Sequence, residues 1–156
     1  RQDYGDPIDY LSGPITINIS YQIKGYAITG DNEIIFTPLL ATPFMSRAMG
    51  HLYFNTDQEE KKYGFRDRCS RLVELEETIT FPDNFKPLLP DVNKTTSGNS
   101  ARFSGGYRIK GNSIQLNQEI VLGKRIYEAA DWNEFREAVK GQKKISEMPV
   151  VLKKSN

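Results

Sequence analysis

The 156-residue chain has one cysteine, one histidine, one tryptophan and almost no surplus of charge, and each shortage narrows its chemistry. A single thiol, Cys69, excludes an internal disulfide and any multi-cysteine metal site, so cysteine usage is silent on compartment. With 21 Lys+Arg against 20 Asp+Glu the net charge is +1, and the basic residues are scattered among acids. No footprint for a phosphate backbone is visible, so nucleic acid is not expected as a partner. No apolar run approaches the roughly 18 residues that span a bilayer, and no basic start, apolar run and small-residue cleavage site marks a signal peptide. No transmembrane segment is therefore expected in this chain. Arg1 in place of Met is expected of a processed product or an excised piece of a longer protein.

What is present is alternation. Phe103, Gly105, Tyr107 and Ile109 alternate with polar neighbours, Lys110-Gly111-Asn112-Ser113 turns, and Ile114, Leu116, Gln118, Ile120 and Leu122 alternate again. This is a β-hairpin whose Gly-Asn centre tolerates positive φ. Residues 1–13, with Gly5, Pro7 and Gly13 and no sustained period, are expected to be a linker, and residues 14–156 a single domain. Ile15 to Ile23 alternates over nine residues and predicts a strand, with a partner between Glu33 and Leu40 across the Gly30-Asp31-Asn32 turn. Ala41 to Lys62 predicts a long loop around a short strand at Leu52-Tyr53-Phe54, with a weakly signalled helix across Phe44 to Met49. A long strand is expected from Cys69 or Ser70 to Phe81, ended by Pro82-Asp83-Asn84. Pro87-Leu88-Leu89-Pro90 reads as an extended bridge, and Asn93 to Ser100 as an exposed polar loop. Asp131, with Glu134 three residues on, predicts a capped helix to about Lys144, and Met148 to Lys153 a last strand.

Few residues offer chemistry. Cys69 and His51 form the single conceivable thiol–imidazole dyad, but Cys69 begins a strand and its bland reading is inert packing. Glu74, Glu76 and Glu77 suggest an acid/base pair only until strand alternation is considered, which makes them a solvated face. Asp31-Asn32-Glu33 and Asp83-Asn84 are turns before they are calcium ligands. Gly105-Gly106 lacks the lysine and following helix of a phosphate loop, and reads as a bulge or a place of close approach. Tyr107, Tyr127 and Trp132 could stack on a sugar ring. Packing of the helix on the sheet is the simpler reading, because Trp132 shares a helical face with Phe135.

The segment Gly106-Tyr107-Arg108-Ile109-Lys110-Gly111-Asn112-Ser113-Ile114-Gln115-Leu116, continuing through Ile120-Val121-Leu122 and Trp132-Asn133-Glu134-Phe135-Arg136-Glu137-Ala138-Val139 to Val150-Val151-Leu152-Lys153-Lys154, carries a resemblance. So does Tyr63-Gly64-Phe65 through Glu77-Thr78-Ile79-Thr80-Phe81-Pro82-Asp83-Asn84-Phe85. Together they resemble the C-terminal β-sandwich domain of unknown function that follows a transglutaminase-like, papain-related core in bacterial multidomain proteins. The motifs are strand, turn and helix features, which identify a fold more safely than an activity.

The resemblance implies an antiparallel β-sandwich, with jelly-roll-like connections as one option, closed by one short C-terminal helix. It implies a non-catalytic accessory domain packed on or bordering the core of the same polypeptide, in the periplasm or at the cell surface. The family's catalytic residues belong to the preceding core, so no catalytic residue, cofactor or metal is expected here. The alternative is a glycan- or peptide-binding module, for which Tyr53, Tyr107, Tyr127 and Trp132 would need to form an exposed platform.

Overall fold

The computed structural model describes residues 2–4, 17–20, 22–42 and 49–155. Its strands are β1 (Gln2–Tyr4), β2 (Ile17–Ile19), β3 (Ile28–Thr29), β4 (Glu33–Phe36), β5 (Phe65–Arg66), β6 (Arg71–Thr80), β7 (Phe85–Leu88), β8 (Lys94–Thr96), β9 (Ala101–Lys110), β10 (Ser113–Leu122), β11 (Ile126–Tyr127) and β12 (Val150–Lys154). One α-helix, α1 (Trp132–Glu147), precedes the last strand. The fold is mainly β, every strand pairing is antiparallel, and the helix lies near the C-terminus, as the sequence led one to expect.

Two four-stranded sheets carry the architecture, ordered β6-β10-β9-β8 and β3-β4-β12-β7. In the first, β8, β9 and β10 follow one another as a meander and β6 adds beside β10. The β9–β10 hairpin closes through Gly111-Asn112, and its positive φ of 58° is confined to Gly111. That first central position is where a type II′ turn demands it, so Asn112 stays in ordinary backbone space. In β6 the odd positions turn inward and the even ones outward, as the alternation predicts. α1 lies against the inward face of β9 and β10. Phe36, Val150 and Leu152 of the second sheet join Phe103, Tyr107, Leu116 and Ile120 of the first and Phe135, Val139 and Ile145 of the helix in one buried cluster.

Several local expectations change. The strand expected over Ile15 to Ile23 spans Ile17–Ile19 among the described residues, and it pairs with Gln2–Tyr4 inside the stretch read as linker. It does not pair with β4, whose two edges are taken by β3 and β12. Leu52-Tyr53 forms part of a 3₁₀ turn (Gly50–Tyr53) that presses His51 and Leu52 into the core, where burial outweighs the local β preference. The possible helix across Phe44 to Met49 falls largely outside the described residues. The Pro87 bridge is edge strand β7, a position where a missing N–H costs no ladder bond. Lys94–Thr96, expected in loop, is edge strand β8.

Asp131 and Glu134 do not cap one another. The reciprocal box lies one turn earlier, where the Glu128 backbone N–H donates to Asp131 Oδ2 at 2.8 Å. Glu134 instead accepts from Ser100 N at 2.7 Å and from Ser100 Oγ at 2.6 Å, tying the loop before β9 to the start of α1. Those two bonds hold the Glu134 carboxyl below its usual range.

Gly141 explains how closely the helix approaches the sheet. A Cβ there would lie 2.5 Å from Cδ1 of Phe103, a ring with nowhere to go. Alanine in a helix interior ordinarily stabilises by about 1 kcal/mol over glycine. Here overpacking, at about 1–3 kcal/mol, wins. Gly141→Ala should lower the midpoint of urea unfolding, and a raised midpoint would show that α1 can move outward at no cost.

Candidate functional site

The outward face of the first sheet forms a polar hollow. Register places Glu74, Glu119, Ser104 and Thr95 in one row across the four strands, with Glu76, Asn117 and Gly106 in the next. The depression has a volume of about 860 Å³. Its floor stays low because Gly106 has no side chain. A Cβ there would fall 1.8 Å from Oδ1 of Asn93, which accepts the Tyr107 backbone N–H at 2.9 Å. The neighbouring Gly105 faces the other way, where a Cβ would meet Phe103 at 2.6 Å and Ile145 at 3.0 Å. The glycine pair therefore marks close approach on both faces of an unbroken ladder, with no bulge.

Three carboxylates gather on one side of the hollow. Glu74 and Glu119 are directly opposite, a repulsive cross-strand placement that Arg102, 3.7 Å from Glu119, partly offsets. Among the described residues no cluster of His, Cys, Asp and Glu has the arrangement to hold a metal ion. Lys94 and Arg108 also line the hollow, so the face can both accept and donate hydrogen bonds.

Of the four aromatic residues considered as a platform, three are in the core. Tyr107, Tyr127 and Trp132 are buried, and only Tyr53 is exposed. Trp132 Nε1–H donates to the Gln58 carbonyl at 2.9 Å. Its ring and that of Tyr127 join Phe54, Phe65 and Phe135 in a cluster with centroids 4.9–5.9 Å apart. Lys61 caps it, with its ammonium 4.5 Å from the Trp132 centroid. Tyr107 turns its hydroxyl inward without a hydrogen-bond partner among the described residues. Burial, with the Glu77 carboxylate nearby, pushes that phenol well above its usual range.

Cys69 and His51 are not brought together as a dyad. Cys69 is exposed. His51 is fully buried, with Nε2 2.6 Å from Oε1 of Gln142 on α1. An amide oxygen only accepts, so Nε2 carries the proton and donates, which leaves Nδ1 unprotonated and without a partner among the described residues. Desolvation lowers the imidazole below its usual 6.5, the Gln142 bond opposes that, and Arg71 and Asp67 act in opposite senses.

The unfolded chain therefore binds more protons than the folded one at pH values just below 6.5. The stabilising contribution is complete above that pH and is lost as pH falls towards the depressed folded value. Urea unfolding should show a loss of up to about 1.4 kcal/mol between pH 7.5 and 5.5, absent in His51→Gln. Equal slopes in the two proteins would contradict a neutral buried imidazole.

Alternation left three polar residues unexplained. Glu77 lies among the inward residues of β6 and accepts from Leu39 N at 3.1 Å and Leu40 N at 2.8 Å, holding the 3₁₀ turn Leu39–Ala41 on the sheet. Its signal was an acid in register with Val73, Leu75 and Ile79. Asp67 accepts from Arg71 at 2.7 Å, with both side chains over nine-tenths buried. No local pattern announces that pair, nor Gln142 as the partner of His51.

The structure thus defines a mainly antiparallel β domain with one helix, a polar hollow and no assembled catalytic group among the described residues. A family model described as a domain of unknown function with a solved structure (DUF3858) matches residues 32–152, and the chain belongs to that family. No curated protein matches it. Among solved structures, a crystal structure described as a "putative protease" from Parabacteroides distasonis ATCC 8503 is similar, with a TM-score of 0.61 and 16% identity. The likeness covers 80% of this chain and 24% of that one, so the chain spans about a quarter of that protein's length. At this identity the likeness carries the fold alone.

Proposed function

We propose that this chain is a non-catalytic accessory domain of a longer, exported bacterial protein, seated on or beside a transglutaminase-like, papain-related core in the periplasm or at the cell surface. The observation that carries the reading is the recurrence of this fold as about a quarter of a longer protein described as a protease. It agrees with the resemblance of the β9–β10 hairpin, α1 and β12 to the domain that follows such a core. Internal chemistry points the same way: the one imidazole is committed to Gln142 in the core, and the one thiol lies at the surface. Translation of the reading frame upstream of Arg1 tests the proposal. An export signal and a Cys/His/Asp core support it, and a frame that encodes neither overturns it.

The polar hollow on the first sheet favours a second reading, glycan or peptide binding. Asn93, Asn117, Ser104 and the three glutamates offer hydrogen-bonding groups over a glycine floor, although no exposed aromatic ring lines it. Titration with soluble glycans and basic peptides, followed by amide NMR, should move resonances of β9 and β10 under this reading. Unmoved spectra at millimolar ligand would remove it.

A further inference from the structure

The second sheet has an outward face that its sequence does not prepare for water. Antiparallel strands with one solvated face alternate apolar and polar residues. β4 and β12 do not: Ile34-Ile35-Phe36 and Val150-Val151-Leu152 are unbroken apolar runs, the pattern of strands covered on both sides. Ile34, Phe36, Val150 and Leu152 face the core. The residues between them face out, and the register aligns them: Ile28 opposes Ile35, Ile35 opposes Val151, and Val151 opposes Leu88. One apolar row therefore crosses all four strands, roughly 14 Å from end to end at the usual strand spacing. Its outer members are open, Ile28 at 73% and Leu88 at 53% exposure. The next row holds Glu33, Lys153 and Lys86, all exposed.

We infer that this row is where the domain seats on the core domain of the same polypeptide, against an apolar surface flanked by carboxylates. The inference rests on the accessory-domain reading and names its contact face. Size selects a tethered partner over a second copy. Four side chains offer a few hundred Å² at most, against the roughly 800 Å² per partner of a stable dimer. A covalently linked neighbour needs far less, since linkage supplies an effective concentration in the millimolar range. Charge selects the chemistry, because the two lysines outnumber the single glutamate beside the row.

The test uses the whole polypeptide encoded by the reading frame, with Cys69→Ser and one new thiol at a time: Leu88→Cys, Ile28→Cys, or Asn117→Cys on the polar hollow as reference. All three positions are exposed in the domain, which limits the risk of misfolding. With each adduct located by mass spectrometry, maleimide should label the thiols introduced at positions 88 and 28 at least tenfold more slowly than the one at position 117, at every protein concentration. Equal rates in a polypeptide that contains the core would overturn the contact face and leave the accessory reading standing. Protection that vanishes on dilution would assign the face to a second copy and also overturn it. A polypeptide with no further domain would sink the accessory reading and this face together, and the mass of the product distinguishes that case.

Discussion

Phe135→Ala should unfold this protein more readily than any other truncation of a single ring. Phe135 is fully buried on α1, and its ring lies 4.9 Å from Phe54, 5.0 Å from Phe65, 5.0 Å from Tyr127 and 5.9 Å from Trp132. Removing a buried phenylalanine loses its transfer free energy and leaves a void, about 3–5 kcal/mol together. The upper end applies, because the rings around it are fixed from several elements and cannot collapse inward. Phe65 comes from β5, Tyr127 from β11 and Trp132 from the start of the helix. For a chain of this size each kcal/mol moves the melting temperature by about 2–4 °C, so a drop of roughly 10 °C or more is expected. Thermal melts followed by circular dichroism measure it. A change under about 1 kcal/mol would mean that the ring cluster is not the packing centre of the helix.

Asp67→Ala should rival it by a different mechanism. Asp67 and Arg71 form an ion pair at 2.7 Å with side chains 4% and 8% exposed, and Asp67 Oδ1 also accepts the Arg68 backbone N–H at 2.7 Å. Removing the carboxylate breaks a buried ion pair from one side, which typically costs about 3–5 kcal/mol. The pair itself need not be strongly stabilising, since two desolvated charges cost much of what their attraction returns. The double replacement Asp67→Leu with Arg71→Met should therefore be less damaging than Asp67→Ala. Urea unfolding of the single and double variants decides it, and a double variant worse than the single would show that Arg71 serves other contacts more important than this pair.

Strand periodicity carried much of the fold and almost none of the polar core. The ten-residue strands β6, β9 and β10 were readable because each has one wet face and one dry face, so alternation survives in the sequence. β4 and β12 were legible as strands from their β-branched and apolar residues and not from alternation: both faces are apolar, and the missing alternation is the trace of the outward row. The short elements β3, β5, β8 and β11 have too few residues for a period, and their strand state comes from the neighbour that pairs with them. Long-range polar contacts leave no local mark. Glu134 satisfies every textual rule for a capping box with Asp131, yet it reaches Ser100, 34 positions away, because the loop before β9 presents a buried N–H that must be paired. Two of the four aromatic residues that suggested a platform are core for a similar reason. Trp132 and Tyr127 have polar atoms that find partners at Gln58 and Lys124, which lets both rings be buried.

Catalysis, where the whole polypeptide has any, is proposed to belong to a core outside these residues. Iodoacetamide mapping of the full polypeptide at neutral pH tests it most directly, with each cysteine located by mass spectrometry. The fastest-reacting thiol should lie outside residues 1–156, and replacing its histidine partner should slow it while His51→Gln should not. Fastest reaction at Cys69, slowed by His51→Gln, would contradict the account and place the chemistry in this domain.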